Sequence, residues 1–288
     1  EEAVQIRRGE VRLPILILGY TPAEYAANMI FLDITQEVHS LEYARELNEA
    51  LAGTNYILNV HLKLDTGMTR IGFFAYDNER TLDELRQVAQ LPHLHIEGVF
   101  MHFCVADSRA EADVSFTKLQ YKRFMDMLSA MAGVGIRPEI RHCCNSGATI
   151  LYPEFALDMV RPGIITYGNA PSDELEGALS LRPMMSLHSM IAQVRTVPAG
   201  TDISYGRLYR TKEETRVAVL PIGYADGFFR GLSNRMSVVT AQGPAPQRGR
   251  ICMDMSMIDL TDLPDVKVGD EVEIFGRRQR VDDLSAIL

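Results

Sequence analysis

Two basic side chains stand at the end of one apolar strand. Lys63 lies inside the run 60–64, whose composition is that of a buried strand, and Arg70 follows at a glycine-containing turn. A buried cation is unfavourable unless it meets a partner or an anion. In an α/β barrel the functional surface lies where the strands end. The segment therefore indicates a binding site, although an ordinary charged loop after a strand fits the same residues.

Other apolar runs end in the same way. His102 lies inside one such run, Asn145 and Ser146 follow His142 at the next, and Arg161 precedes a Pro-Gly turn. In a barrel, loops of this kind bind phosphate through hydroxyl and backbone N–H groups. For His102 alone, a buried structural histidine is the simpler interpretation. A buried Arg161 without an anion is harder to explain, and it favours a site.

The second half of the chain contributes an isolated tyrosine. Tyr205 stands between turn residues in the motif 204–206. Viewed singly, it fits an ordinary aromatic residue at a strand end as well as it fits a proton-transfer group.

The elements that must position these residues differ between the two halves. Up to residue 178, short apolar strands alternate with amphipathic helices, which predicts a parallel sheet with helices on its faces. We expect strands that include 15–18, 60–64, 96–103, 139–144 and 157–160. A closed parallel barrel needs eight strands, and this half offers only about six. Either the sheet is open, or N-terminal sequence absent from this chain completes a barrel. The start at Glu1 rather than at a methionine favours the second.

From residue 179 to 288 the pattern becomes mostly β, with turns rich in glycine, proline and aspartate. Expected strands are 184–197, 216–221, 236–240, 250–260 and 271–275. We therefore expect two domains, 1–178 and 179–288. Because the chain stops at Leu288 inside an apolar, helix-like run, we expect the second domain to be incomplete as well.

Composition excludes several classes of protein. A formal charge of −9 and a pI near 5.3 disfavour nucleic acid as a partner. No apolar run is long enough to cross a bilayer, and no positively charged segment followed by an apolar region occurs in these residues, so we expect no secreted destination. The four cysteines lie in apolar runs and lack disulfide or zinc spacing, so we expect no metal and a cytoplasmic location, with a membrane-anchored parent protein left open.

Taken together and in order, the motifs resemble one family, the fold-type III alanine racemases, including the serine-racemase domains of vancomycin-resistance proteins. The matching segments are 63–72, 102–107, 142–146, 161–164, 204–206, 224–227 and 250–254. The resemblance implies a (β/α)8 barrel, with its first strands missing here, followed by a mostly β domain. It also implies pyridoxal 5'-phosphate as cofactor and a homodimer that shares its active sites. The reaction would interconvert L- and D-alanine, with serine possible, to supply cell-wall precursors.

The resemblance also implies residue roles. Tyr205 would be a catalytic base that reaches across the dimer, and Arg161 would keep the pyridine nitrogen unprotonated because arginine does not give up its proton. Residues that would bind the cofactor are Arg70, His102, His142, Asn145, Ser146, Arg161, Gly163 and Ile164. The substrate carboxylate would meet Arg70 and Met253. Lys63 would be carbamylated and would anchor Arg70, while Asp107, Tyr224, Arg230, Arg250 and Asp254 would support the site or line its access channel.

One departure from the family pattern opens alternatives. The family attaches its cofactor through a lysine in an early motif, and that lysine is also the second base. None of Lys63, Lys118, Lys122, Lys212 and Lys267 has that context. A non-catalytic, racemase-like module for cofactor binding or dimerisation is therefore the alternative to an active racemase. A basic-amino-acid decarboxylase is disfavoured by Arg161, because decarboxylation benefits from a carboxylate that keeps the pyridine protonated.

Overall fold

The computed structural model describes residues 1–76 and 78–288, which form two compact units, Glu1–Leu181 and Arg182–Leu288. Elements of the first unit are, in chain order, α1 (Glu2–Arg8), β1 (Ile15–Ile17), α2 (Ala26–Phe31), β2 (Ile34–Val38), α3 (Leu41–Ala50), β3 (Leu58–Asp65), β4 (Phe73–Phe74), α4 (Asn78–Ala89), β5 (Leu94–Phe100), α5 (Glu111–Gly133), β6 (Ile140–His142) and α6 (Ser146–Leu151).

The strands of the first unit form a sheet in the order β1-β2-β3-β5-β6, and the short β4 pairs with β3 outside this path. Every pairing in this sheet is parallel. Parallel neighbours need crossover connections, which the helices between the strands supply. The α/β class and the barrel-type arrangement expected from the sequence are confirmed. Within the described residues the sheet is an open arc with β1 at one edge.

Strand β3 is the centre of this arc and is buried along nearly its whole length. Side chains alternate between the two faces of a strand, so Leu62 and Leu64 enter the apolar core on one face. His61 and Lys63 lie on the opposite face, and both are buried as well. The polar residues of β3 are therefore enclosed inside the arc rather than exposed to solvent.

The helices pack their apolar faces on the sheet. Helix α3 begins after Ser40, whose hydroxyl accepts a hydrogen bond from the Tyr43 N–H, and it buries Ala44 and Leu47 completely. Helix α5 is the longest, with 23 residues. Among the described residues, no helix combines the length and apolar character needed to span a bilayer.

The expected strand 157–160 is only partly correct. Met159 forms a single bridge to His142, and no longer ladder exists there. The segment still runs beside β6, because the Asp158 N–H donates to the Arg141 carbonyl and the Arg161 N–H donates to the Cys144 carbonyl. Pro162 ends the pairing, since proline has no N–H and restricts the residue before it. This placement brings Arg161 to the end of β6.

The second unit is mostly antiparallel β-structure. Its elements are β7 (Leu187–Met190), β8 (Gln193–Val197), β9 (Asp202–Ile203), β10 (Tyr209–Arg210), β11 (Thr215–Leu220), β12 (Ser237–Thr240), β13 (Gly243–Pro246), β14 (Ser256–Asp259), β15 (Glu271–Phe275) and α7 (Val281–Ser285). One sheet has the order β14-β11-β8, another has the order β13-β12-β15-β7, and β9 pairs with β10. The core between them includes Leu220, Ile258 and Val272.

Two expected strands of the second unit are wrong in extent. The segment 184–197 is broken at Ile191, whose N–H donates to the Asp270 carbonyl, so β7 and β8 belong to different sheets. In the segment 250–260, only Ser256–Asp259 is a strand. The residues before it form a turn in which the Cys252 N–H donates to the Met255 carbonyl.

Candidate functional site

The polar residues singled out in the first unit gather at one edge of the parallel sheet. Arg70 follows β3, His102 follows β5, and Asn145 follows β6. Because neighbouring parallel strands end at the same edge, these side chains lie around one region. Arg161 enters the same region from the segment beside β6.

Arg161 is the central cation of this region. Its Nη1 donates to His142 Nδ1 at 2.6 Å, and its Nη2 donates to the carbonyl oxygens of Met101 at 2.7 Å and Cys143 at 3.2 Å. Burial lowers the pKa of the guanidinium to about 10, which still leaves it protonated at neutral pH. Among the described residues, no carboxylate contacts it and Nε has no hydrogen-bond acceptor. The guanidinium therefore presents an unused N–H donor.

The histidines beside Arg161 are neutral. Burial, reinforced by the Arg161 charge, lowers the pKa of His142 to about 2 and that of His102 to about 4. His142 has no exposed surface and stacks on Phe100, with the ring centroids 4.8 Å apart. A guanidinium can only donate, so His142 Nδ1 is the acceptor and its proton is on Nε2. The interpretation of His102 and His142 as members of one network with Arg161 agrees with these contacts.

Sequence reasoning missed two residues of this network. His61 Nδ1 lies 2.9 Å from His142 Nε2, and His61 Nε2 lies 3.2 Å from Glu97 Oε2. His61 precedes Lys63 by two residues and therefore shares its face of β3, a spacing that could have identified it. Gly98 was a second signal, because a glycine inside a strand often marks a close approach of another group.

A set of hydrogen-bond donors lies at the start of α6. Gly163 N–H donates to Ser146 Oγ at 2.9 Å, which leaves the Ser146 hydroxyl hydrogen free to donate. Asn145 accepts a hydrogen bond from Ala148 N–H and donates to the Phe103 carbonyl. Its side chain therefore stabilises the turn and is not one of the free donors. In the described part of the chain, the N–H groups of Gly147 and Ile164 have no protein acceptor. Such donors suit an anion.

Gly147 holds this turn against the loop after β5. A Cβ at Gly147 would lie 2.9 Å from the backbone carbon and oxygen of Ala106 and from Asp107 Cβ. The Asp107 carbonyl is fixed in turn by the Ser172 hydroxyl at 2.6 Å. The absence of a side chain at Gly147 therefore allows the two loops to touch.

The loop that carries Arg70 is organised by Asp65. One carboxylate oxygen of Asp65 accepts the N–H groups of Gly67, Met68 and Thr69, each at 3.0 Å. Arg70 itself is exposed, and no hydrogen bond or ion pair involves it among the described residues. Asp65 was not among the expected site residues, because a carboxylate before a turn is common.

Lys63 is buried beside this loop, with only 4% of its surface exposed. Its Nζ donates to the Leu64 carbonyl at 3.0 Å and lies 5.5 Å from the Phe100 ring centroid. Burial lowers its pKa to about 8, and the charges of Arg161 and Arg70 act in the same direction. A fraction of the Lys63 amine is therefore unprotonated near neutral pH.

In the second unit, Tyr205 projects from a constrained turn. Its side chain is 69% exposed, and its neighbours Ser204, Gly206 and Arg207 all have positive φ. The Ser204 hydroxyl donates to the Arg250 carbonyl at 2.5 Å, which ties the turn to the segment before β14. A non-glycine residue at positive φ is held there by surrounding contacts. The turn thus presents the phenol at the surface of the unit from a constrained backbone.

The turn before β14 brings further expected residues together. Tyr224 N–H donates to the Cys252 carbonyl, and the Arg230 guanidinium lies 5.6 Å from the centroid of the Tyr224 ring. Met253 is exposed, and among the described residues its N–H has no acceptor. Asp254 is exposed beside it. The second unit therefore groups Tyr224, Arg230 and the 250–254 turn, and Ser204 links Tyr205 to the same turn.

Comparison with known proteins decides the family. The family model for the alanine racemase N-terminal domain matches residues 1–171, and the model for the C-terminal domain matches residues 184–288. The chain belongs to the alanine racemase family. An alanine racemase of Clostridium tetani is 41% identical over 282 residues, which cover 97% of this chain and 72% of the relative. An alanine racemase of Desulfovibrio desulfuricans is 45% identical over 276 residues, covering 96% of this chain and 73% of the relative.

Solved alanine racemases have the same fold. The alanine racemase of Clostridium difficile 630 superimposes with a TM-score of 0.93 and 38% identity, over 100% of this chain and 74% of that one. The Bacillus anthracis alanine racemase with bound L-Ala-P gives a TM-score of 0.87 at 34% identity, over 97% and 70% of the two chains. These relatives support alanine racemisation. They give no support to the serine reaction or to the non-catalytic module.

The alanine racemase family depends on pyridoxal phosphate, and the residues present fit this cofactor. The free Nε–H of Arg161 suits an unprotonated ring nitrogen, which is an acceptor. The Ser146 hydroxyl and the unused N–H groups of Gly147 and Ile164 suit a phosphate. The N–H of Gly163, which was expected as a phosphate ligand, donates to Ser146 Oγ in this structure. No group of His, Cys, Asp and Glu side chains that could hold a metal occurs in the described ranges.

Proposed function

We propose that this chain performs the alanine racemase reaction with pyridoxal phosphate held at the Arg161 edge of the first unit. The observation that carries the proposal is the buried guanidinium of Arg161, which contacts two neutral histidines and no carboxylate among the described residues. Pyridoxal phosphate supplies an electron-withdrawing ring that acidifies the α-hydrogen of a bound amino acid. A guanidinium cannot transfer its proton to the ring nitrogen, so it limits this withdrawal and favours return of the proton over further reaction.

The phosphate and ring positions follow from the donors. Ser146 Oγ and the Ile164 N–H would bind the phosphate, with Gly163 orienting the hydroxyl and Asn145 fixing the turn. His142 and His102 would hold Arg161 rather than touch the cofactor. Arg70, on the loop fixed by Asp65, would bond the ring's phenolic oxygen.

Tyr205 would move the proton. Its exposed phenol stands on a rigid turn, as a group that acts on a neighbouring subunit requires. The substrate carboxylate would bind the N–H of Met253 together with Arg70, which would fix that end of the amino acid.

The remaining residues would shape access and charge. Tyr224, Arg230, Arg250, Asp254 and Asp107 would line or support the channel to the site. Carbamylation of Lys63 would convert a buried cation into an anion, which would relieve its repulsion with Arg70 and anchor that side chain.

A homodimer and a cytoplasmic location complete the proposal. Alanine racemases act on amino acids and are typically dimeric. Several large apolar side chains of the second unit are exposed, as an interface requires: Leu208, Phe229, Met253 and Met255. All four cysteines are free thiols, which agrees with a reducing compartment.

The test is exchange of the α-hydrogen of L-alanine in D2O, followed by NMR with added pyridoxal phosphate. An amino acid combines with pyridoxal phosphate in solution, so this assay needs no lysine from the protein. Tyr205→Phe should lower the protein-dependent exchange by at least about 100-fold. Tyr167→Phe, which alters another exposed tyrosine, should leave it unchanged. Exchange retained in Tyr205→Phe, or none with the unaltered chain, contradicts the proposal.

A further inference from the structure

Hydrogen bonds lead from Arg161 back into the body of β5. Arg161 Nη1 donates to His142 Nδ1, His142 Nε2 lies 2.9 Å from His61 Nδ1, and His61 Nε2 lies 3.2 Å from Glu97 Oε2. Thr35 Oγ1 donates to the same Glu97 oxygen at 3.0 Å. A buried cation is thus joined to a carboxylate through two imidazoles.

Arg161 and Glu97, the two ends of this series of hydrogen bonds, fix the position of every proton within it. A guanidinium can only donate and an ionised carboxylate can only accept. His142 must then accept at Nδ1 and donate from Nε2, and His61 must accept at Nδ1 and donate from Nε2 to Glu97. Both rings are neutral in this arrangement, and burial lowers the pKa of each. No donor faces another donor at any link.

The backbone of β5 is adapted to this contact. Val60 of β3 pairs with Ile96, but His61 pairs with Gly98, so Glu97 is an extra residue in β5. Such a bulge redirects a side chain, and bulges are frequent beside functional sites. Here the bulge turns the Glu97 carboxylate towards His61. The regular alternation of side chains along a strand would not direct it there.

Gly98 makes room for the imidazole. A Cβ at this position would lie 2.4 Å from His61 Cε1 and 2.5 Å from both ring nitrogens. The His61 ring therefore occupies the space that any other residue at 98 would fill. The bulge and the glycine are two independent features that serve the same contact.

We propose that Glu97 is the remote counter-charge of Arg161 and a positioning residue for it, acting through His61 and His142. A carboxylate in direct contact would occupy the guanidinium donors. The series of hydrogen bonds through His142 and His61, here called the relay, instead lets Glu97 compensate the Arg161 charge without contacting the guanidinium. Nε of Arg161 therefore stays free. That Arg161 Nε faces the cofactor ring nitrogen rests on the proposed function. The relay itself does not.

The test is nitrogen NMR of the 15N-labelled full chain at pH 7, without cofactor or amino acid. We expect His61 and His142 to be neutral with hydrogen on Nε2, and a scalar coupling between His142 Nε2 and His61 Nδ1. In Glu97→Gln, which keeps an acceptor but removes the charge, the His142 Nδ1 shift should move towards that of a free imidazole nitrogen. In Gly98→Ala, the coupling should disappear.

Glu139→Gln, which removes an exposed carboxylate of the same unit, is the matched control and should leave both rings unchanged. Glu97→Gln changes few atoms, so it tests the role of Glu97 even if Gly98→Ala does not fold. The proposal is overturned if His142 carries its hydrogen on Nδ1, or if Glu97→Gln shifts its signals no more than the control. Because no catalysis is measured, failure of the racemase proposal would leave this result intact.

Discussion

Nη1 of Arg161 donates a 2.6 Å hydrogen bond to Nδ1 of His142, an imidazole with no exposed surface. The contact requires His142 to be neutral, because a protonated ring would place a second cation against the guanidinium. Its lowered pKa therefore follows from burial and from this neighbour.

The neutrality of His142 predicts a pH dependence of stability. The pKa of His142 is about 2 in the folded chain, whereas a histidine in the unfolded chain titrates near about 6.5. Between these values only the unfolded chain binds the proton, so the free energy of unfolding decreases as the pH falls below about 6.5. The expected contribution is about 1.4 kcal/mol per pH unit.

Urea unfolding at pH 7, 6 and 5 measures this dependence, and His142→Gln should show a shallower slope than the unaltered chain. His95→Gln removes an exposed histidine on the same sheet and should keep the original slope. Equal slopes in His142→Gln and the unaltered chain would show that folding does not lower the pKa of His142.

Asp65 predicts a local effect on the Arg70 loop. Asp65→Ala leaves three backbone N–H groups without their acceptor. We expect a loss of about 2 to 3 kcal/mol in unfolding free energy. Hydrogen exchange should accelerate at Gly67, Met68 and Thr69. Asp173→Asn changes an exposed carboxylate of the same unit and serves as control; protected loop amides in Asp65→Ala would rule out the capping role.

Substitution of Gly147 should weaken phosphate binding. In Gly147→Ala the new methyl group would meet the backbone of Ala106 at 2.9 Å, so the turn that carries Ser146 must shift. We expect at least about tenfold weaker binding of pyridoxal phosphate, measured by equilibrium dialysis, because donor geometry decides such contacts. Gly133→Ala meets nothing within 4 Å and should bind normally. Unchanged affinity in Gly147→Ala would remove Ser146 from the phosphate site.

We expect the Lys63 amine to react with carbon dioxide. Its pKa of about 8 leaves a neutral amine fraction at pH 7 to 8, and the positive charges of Arg161 and Arg70 would stabilise a carbamate anion. The chain in 13C-bicarbonate should show a bound carbonyl signal in NMR, and Lys63→Gln should abolish it. Lys212→Gln, at an exposed position, should not. A signal that persists in Lys63→Gln would place the adduct elsewhere.

The sequence predicted those features that depend on residue type at a strand end. Arg161 and His142 could be found because charged and polar residues rarely end apolar runs without a reason. The Glu97 contact could not, because a bulge changes strand register without a mark in the pattern of hydrophobic residues. The expected strand 250–260 was too long because its apolar residues, such as Ile251, are buried in a turn as well as in a strand.

In the proposed function, Arg161 keeps the cofactor ring nitrogen unprotonated. The most direct measurement is the 15N NMR shift of [15N]pyridoxal phosphate bound to the chain, compared with the same ligand bound to Arg161→Glu. We expect the shift of an unprotonated, hydrogen-bonded pyridine nitrogen in the unaltered chain and that of a pyridinium in Arg161→Glu. A pyridinium shift in the unaltered chain would contradict this role of Arg161.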